Sequence, residues 1–329
     1  MELPGAQGKR PVGRTFVDSE LLGTALDRRQ GNEPIDLVVR EGYHHLTRVL
    51  RCKPGQVLEL FDGAGLAGRG TIQSITKDRL LVRLERLWSV RQPRPVTTLV
   101  CALLKAPAMD SVLRKATELG TSRVFVCATA RSVPSREDKA AGKRLSRWER
   151  IAAEACLQCG RPIPPRIEFF PSWAHGLDAF EDGFRNGSQD TFQGGGQAAG
   201  DGMEPDLDAT AIKALLQPGT GPSLATVLSE TSVFLPMALA VGPEGGFADE
   251  ELREAAERGW HSVSLGPLVL RAETAAIVAS AFMAQAAGRF DDADAWRGDL
   301  DAGHEALGAG RANPGTGPGR DSVTREKGD

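Results

Sequence analysis

Apolar and polar positions follow two different rules along this chain, and the change comes near residue 92. Before it, short apolar runs are punctuated by turn residues: Arg14–Val17, Ile35–Val39, Val57–Phe61, Gly70–Ile75 and Leu80–Leu84, with Asp62-Gly63 and Lys77-Asp78 between neighbours. Alternating runs joined by such pairs predict β-hairpins. Between them, Leu46, Val49 and Leu50 recur at helical spacing and predict a short helix over 44–51 that buries this face. His45, Arg48 and Arg51 then point outward, either to a partner or simply to solvent. Residues 14–90 therefore read as a small all-β unit. Gln92-Pro93-Arg94-Pro95 reads as a stiff linker, since two prolines fix the backbone and exclude regular structure.

Beyond residue 96 the runs lengthen and alternate with helical spacing. Val96–Leu104 is continuously apolar, as a strand covered on both faces should be. Asp110–Leu119 carries a helical stripe and stops at Gly120. A strand over Arg123–Ala128 follows, then a helix through Trp148, Ile151, Ala152 and Ala155. Further on, the pattern predicts a helix over 208–217 and strands at Leu224–Leu228, Met237–Val241 and Ser262–Leu265. It also predicts helices over Asp249–Arg258 and Ala275–Ala287. This is the grammar of an α/β domain with a parallel sheet. Residues 1–13 and 291–329 are rich in glycine and charge and are expected to be disordered tails. The polar, glycine-rich stretch near 181–222 reads as a flexible insertion.

Two turns stand out within that grammar. Gly242-Pro243-Glu244-Gly245-Gly246-Phe247 joins an apolar strand to a charged helix, and about twenty residues later Leu265-Gly266-Pro267-Leu268-Val269-Leu270-Arg271 joins a strand to an apolar helix of small residues. Such turns lie at the C-terminal edge of a parallel sheet, where ligands bind. Two of them together predict the walls of one pocket. A dehydrogenase fold is disfavoured, because the first strand leads into Lys105-Ala106-Pro107 rather than a G-x-G-x-x-G turn.

Composition adds limits. The 329 residues suggest two domains, and 41% hydrophobic with 25% charged residues is globular. The net charge of −3 announces no nucleic-acid partner in bulk. Locally, however, residues 131–150 carry seven Arg or Lys (Arg131, Arg136, Lys139, Lys143, Arg144, Arg147, Arg150). Five cysteines, an odd number, do not make a disulfide framework. Cys156-x-x-Cys159 lacks the second pair that structural zinc needs, so no metal is expected. No run approaches the roughly 18 apolar residues of a membrane span, and a cytoplasmic location is expected.

Taken together, several stretches resemble the RsmE family of bacterial 16S ribosomal RNA methyltransferases. They are His45–Arg51, Leu60-Phe61-Asp62-Gly63, Lys115–Gly120, Trp148 with Arg150-Ile151, Glu154–Arg161, Gly242–Phe247 and Leu265–Thr274. Their order and spacing hold from about Arg14 to Phe290, leaving out the insertion and both tails. The resemblance implies a PUA-like RNA-binding β-barrel over 14–90. It also implies a SPOUT methyltransferase domain over 96–290, an α/β fold with a trefoil knot. It implies S-adenosylmethionine as cofactor, N3 of a uridine in 16S rRNA of the small ribosomal subunit as target, and a homodimer.

Carried onto this chain, the resemblance assigns the cofactor to Leu228, Gly242, Pro243, Glu244, Gly245, Gly246, Leu265, Gly266, Leu270 and Thr274. Arg271 and Glu273 fall beside the reacting methyl, with Arg271 set to stabilise the uridine anion or position its phosphate. Arg14, His45, Arg48, Arg51, Lys105 and Arg161 are assigned to RNA. The chain departs from the family at Leu268, where a basic residue is usual, and at Ala106-Pro107-Ala108 after Lys105. Two other readings stay open at this stage: a SPOUT enzyme acting on another base or a ribose 2′-OH, and a ribosome-assembly RNA-binding protein without catalysis.

Overall fold

The structure, a computed structural model, describes residues 10–28, 35–132, 138–185, 211–230, 235–290 and Trp296. The N-terminal unit contains strands β1 (Gly13–Phe16), β2 (Ile35–Val39), β3 (Val57–Phe61), β4 (Leu66–Ile75) and β5 (Leu80–Ser89). They form a mixed sheet in the order β1-β3-β4-β5-β2, with β1 parallel to β3 and the other pairs antiparallel. No pairing closes β1 onto β2 among the described residues, so the expected barrel is open between these two edge strands. Leu37, Leu58, Leu60, Ile72, Leu80 and Val82 meet in its core. Helix α1 (Ser19–Arg28), which the strand pattern did not predict, buries Leu22 and Ala25 there.

The 44–51 segment departs from expectation. It forms one π-helical turn, His45–Val49, that buries Leu46 alone. Val49 and Leu50 are 67% and 39% exposed. A wider turn advances each residue by a smaller angle than an α-helix, so the three apolar positions no longer share a face. Leu46 is the anchor, and burying one leucine is worth about 1.5–3 kcal/mol.

The second unit runs β6 (Thr97–Ala102), α2 (Ala106–Glu118), β7 (Arg123–Cys127), α3 (Asp138–Cys159), β8 (Arg166–Phe170), α4 (Trp173–Arg185), β9 (Ile212–Leu216), α5 (Leu224–Ser229), β10 (Met237–Val241), α6 (Asp249–Glu257), β11 (His261–Val263) and α7 (Ala272–Ala286). All six strands are parallel, in the order β11-β9-β10-β6-β7-β8. Strand alternation divides the core in two. Met237, Leu239 and Val241 of β10 face the layer that contains α2, α3, α5 and α7, whereas Ala238 and Ala240 face α4 and α6. Both faces are covered, which is why these strands read as unbroken apolar runs.

Two assignments between 208 and 228 are exchanged. Residues 212–216 form β9 rather than a helix, held between β10 and β11. Residues 224–229 form α5 rather than a strand. The Ser223 side chain caps α5 by accepting from the Thr226 amide, and Leu224 and Leu228, four apart, bury one face. Strand β8 and helix α4 were not foreseen, and of the stretch read as an insertion, residues 181–185 belong to α4 and residues 212–216 to β9. Residues 186–210, 1–9 and, Trp296 excepted, 291–329 lie outside the described residues, whereas the last residues of the expected N-terminal tail are structured: the Val12 amide donates to the Val57 carbonyl at 2.9 Å and Gly13 opens β1.

Because the strands point one way, their ends define two edges. The β domain docks at the N-terminal edge. There Arg14 donates to Glu59 at 2.8 Å and to the carbonyls of Leu157 and Gln158 at the end of α3. Phe61, Ala67 and Val90 pack on Ile163, just before β8. Arg289, beyond α7, donates to the linker carbonyls of Pro93, Arg94 and Pro95.

Candidate active site

The opposite, C-terminal edge holds a cavity of about 340 Å³. That lies within the usual size range of a small-molecule site. Three chain segments line it: Leu216–Pro218 after β9, Val241–Phe247 after β10, and Leu265–Ala272 after β11, with Ala275 of α7 behind. The two glycine turns singled out in the sequence are therefore facing walls of one pocket.

Local geometry explains the glycines. Gly246 and Gly266 have φ of +72° and +111°, which L side chains avoid. A Cβ on Gly242 would sit 3.0 Å from the Phe247 ring, so that ring packs directly under the wall. Phe247 in turn packs against Trp173, with ring centroids 4.7 Å apart and planes tilted by 48°. In the second turn, the amides of Leu265, Gly266, Leu268, Val269 and Leu270 find no acceptor among the described residues. The cavity thus combines apolar walls (Leu216, Val241, Phe247, Leu265, Leu270) with uncommitted backbone donors and a single lining carboxylate, Glu244.

Of the expected cofactor residues, Gly242, Pro243, Glu244, Gly246, Leu265, Gly266 and Leu270 line the cavity. Three do not. Leu228 lies in α5 and is buried in the core; the exchange of strand and helix gives its expected place to Leu216 at the end of β9. Gly245 turns its carbonyl outward to Arg131, at 3.1 Å. Thr274 is exposed in the first turn of α7, which begins at Ala272, three residues earlier than the pattern predicts. Arg271 is exposed at the cavity rim and is the N-terminal cap residue of α7. Glu273 sits in the same first turn but does not line the cavity.

The expected RNA residues separate into two groups. His45 and Arg48 are exposed on the π-helical turn and Arg51 just beyond it, where it is the one non-glycine residue with positive φ (+52°) among those described. Lys105 is exposed at the start of α2, where Pro107 fits the first turn and accounts for the unusual Ala-Pro-Ala. Arg14 is engaged at the domain junction rather than presented as a free cation. Arg161 is a correction: it is 3% exposed, donates to the carbonyls of Ile163 and Thr117, and lies under the Trp296 ring at 4.7 Å. Burial, with no carboxylate beside it, lowers its pKa to about 10. A side chain so enclosed supports the fold and does not reach a phosphate.

The basic helix is also less free than its composition suggests. Arg147 pairs with Asp110, Arg150 bonds Glu154 at 3.3 Å, and the Arg144 guanidinium lies 5.1 Å over Phe169. Arg136 and the side chain of Lys139 lie outside the described residues. Cys156 is buried, and desolvation pushes its thiol up to about 12, whereas Cys159 is exposed. Among the described residues, no group of three or more His, Cys, Asp or Glu is placed to hold a metal.

The comparisons agree with this geometry. A family model described as an RNA methyltransferase domain matches residues 91–284, well over half of the chain, and one described as an RNA methyltransferase PUA domain matches residues 40–85. The ribosomal RNA small subunit methyltransferase E of Synechocystis is 31% identical over 72% of this chain and 69% of its own length. This chain belongs to the ribosomal RNA small subunit methyltransferase E family. The family's member from Mycobacterium bovis is 29% identical over 76% of this chain and 86% of its own. Among solved structures, a putative methyltransferase from Legionella pneumophila with bound SAM superposes with a TM-score of 0.62 at 25% identity. It covers 84% of this chain and 98% of that one. The methyltransferase E of Neisseria gonorrhoeae, solved with S-adenosyl methionine, gives the same TM-score at 22% identity over 83% and 97%. The fold is thus the SPOUT methyltransferase fold behind a PUA-like domain, as the resemblance implied.

Proposed function

We propose that this chain binds S-adenosylmethionine between the two glycine turns and transfers its methyl group to N3 of a uridine in 16S rRNA of the small ribosomal subunit. The observation that carries the reading is the cavity itself: apolar walls for an adenine, backbone donors for polar atoms, and one cation, Arg271, at its mouth. The residues present fit the cofactor. Leu216, Val241 and Leu270 offer apolar surface, and Glu244 offers an acceptor for a hydroxyl or amine.

When bound, S-adenosylmethionine supplies an electrophilic methyl on a sulfonium. The chain's own contribution is alignment and charge. Fixing the methyl and the nucleophile in line converts a bimolecular encounter into a local one. Uridine N3 carries a proton and attacks only once that proton has left. Arg271, beside the reacting position, stabilises the resulting anion and so makes loss of the proton easier. A preorganised cation of this kind is worth about 3–4 kcal/mol in comparable sites. Phosphate contacts come from the exposed His45, Arg48 and Arg51, whose strength falls with salt.

The reading includes a homodimer in the cytoplasm. The β domain docks at the sheet edge opposite the cavity, so the barrel and the cavity of one chain do not face each other across a single cleft. At the cavity mouth, Leu268 and Val269 are 75% and 80% exposed. A second chain that covers these residues would enclose the reacting end. Labelled methyl transfer to small-subunit particles, naked 16S rRNA and large-subunit particles tests the function, followed by mass spectrometry of the modified nucleoside. Label on a ribose, on another base or on the large subunit overturns it.

A further inference from the structure

Behind the first glycine turn lies a second layer of residues. The segment after β7 folds on itself, with the Thr129 amide donating to Ser132 Oγ at 3.0 Å and that hydroxyl donating back to the Thr129 carbonyl at 2.9 Å. From this compact turn, Arg131 Nη1 donates to the carbonyls of Gly245 and Phe247 at 3.1 and 3.2 Å. In the other direction, Glu251 of α6 closes the gap: its Oε1 accepts from the Ala130 amide and its Oε2 from the Ala248 amide, both at 2.8 Å. Glu251 is 9% exposed, and its own carbonyl accepts from the Trp173 indole at 3.1 Å. One guanidinium and one carboxylate therefore each bridge the β7 turn and the wall of the cavity, on separate sets of backbone atoms.

We infer that Arg131 and Glu251 are positioning residues for the cofactor wall. Neither lines the cavity. Arg131 fixes two alternate carbonyls of the turn, and with them the planes of the 245–246 and 247–248 peptide groups. Gly245 is matched to this contact, since a Cβ there would meet the Arg131 side chain at 3.3 Å. Phe247, one of the two braced carbonyls, places its ring under Gly242. The brace thus sets both the backbone and the packing of the wall.

The inference rests on the cofactor reading above, and its test separates the two. Calorimetric titration of S-adenosylhomocysteine is run on the full chain and on Arg131→Ala, Arg131→Lys and Glu251→Gln, each with a thermal melt and steady-state rates. Losing two charge-assisted hydrogen bonds should raise the dissociation constant and the cofactor KM roughly five- to thirtyfold in Arg131→Ala, with kcat within about threefold. Arg131→Lys, a single-point donor, should recover part of the loss. Glu251→Gln should move in the same direction, because an amide nitrogen cannot accept the second N–H. If Glu251→Gln fails to fold, the Arg131 pair decides alone. Wild-type affinity in Arg131→Ala overturns the brace, as does a loss confined to kcat. A wild-type chain that does not bind S-adenosylhomocysteine overturns the cofactor reading instead.

Discussion

The two positive-φ glycines of the cavity allow the cofactor wall to be tested without touching any side chain. Gly246→Ala places a methyl at φ +72°, close to the left-handed region, with no atom within 4 Å. The cost is backbone strain alone, about 1–2 kcal/mol for an L residue there. Gly266→Ala is harsher. At φ +111° it lies beyond that region, again with no steric neighbour, and the cost approaches the upper end of about 1–3 kcal/mol. Both turns are at the surface, so the chain relieves the strain by moving the turn and the loss appears in binding. At about 1.4 kcal/mol per factor of ten, Gly246→Ala should weaken S-adenosylhomocysteine roughly five- to thirtyfold, and Gly266→Ala by up to about a hundredfold or more. Gly259→Ala is the control: φ +76°, open space, and a position at the end of α6 away from the cavity. It should lower the melting temperature by a few degrees, about 2–4 °C per kcal/mol, and leave the affinity unchanged. Wild-type affinity in Gly266→Ala, or equal weakening in Gly259→Ala, refutes the reasoning.

Other outcomes follow from the same geometry. Arg271→Ala should lower kcat by about a hundredfold or more while cofactor affinity, measured by calorimetry, stays within a few-fold; unchanged turnover removes Arg271 from the chemistry. Replacing His45, Arg48 and Arg51 together by Ala should weaken RNA binding and flatten its salt dependence, by up to about three units of log–log slope if all three are charged and touch phosphates. An unchanged slope moves the RNA surface elsewhere. In the folded protein at pH 8, iodoacetamide should label Cys159 and spare the buried Cys52, Cys101, Cys127 and Cys156. Burial pushes Cys101 and Cys156 up to about 12 and Cys127 higher still, so the reactive thiolate is scarce. Cys159→Ser should abolish the native labelling, read by intact mass.

What the sequence disclosed depended on the length scale of the signal. The two glycine turns were legible because their chemistry is local: a glycine that must take positive φ, between an apolar strand and a helix, carries its own reason. β10 and α6 on either side of Pro243 and β6 in mid-sheet were legible for the same reason, being long or strongly patterned. The exchange at 208–228 was not. Ile212–Leu216 suits a helix or a strand, and only its slot between β10 and β11 decides. With strand and helix exchanged, it is Leu216 rather than Leu228 that lines the cavity. Arg161 failed differently: motif and charge placed it on the RNA, but an enclosed guanidinium is a property of packing, set by Ile163, Thr117 and a tryptophan far along the chain. Glu251 leaves only a faint trace in the sequence. A glutamate three residues after the helix cap at Ala248 is the second half of a capping box, and its double bridge needed the β7 turn to be seen.

The parallel sheet also separates what can vary from what cannot. Every segment of the cavity leaves a strand at its C-terminal end, whereas α4 and β9, which bracket residues 186–210, meet at the other edge. A strand of five residues puts roughly 16 Å between the two. The chain can therefore lengthen, shorten or accept a grafted label between Arg185 and Ala211 without altering the register of either glycine turn. For a spectroscopist this is an attachment point far from the cofactor wall.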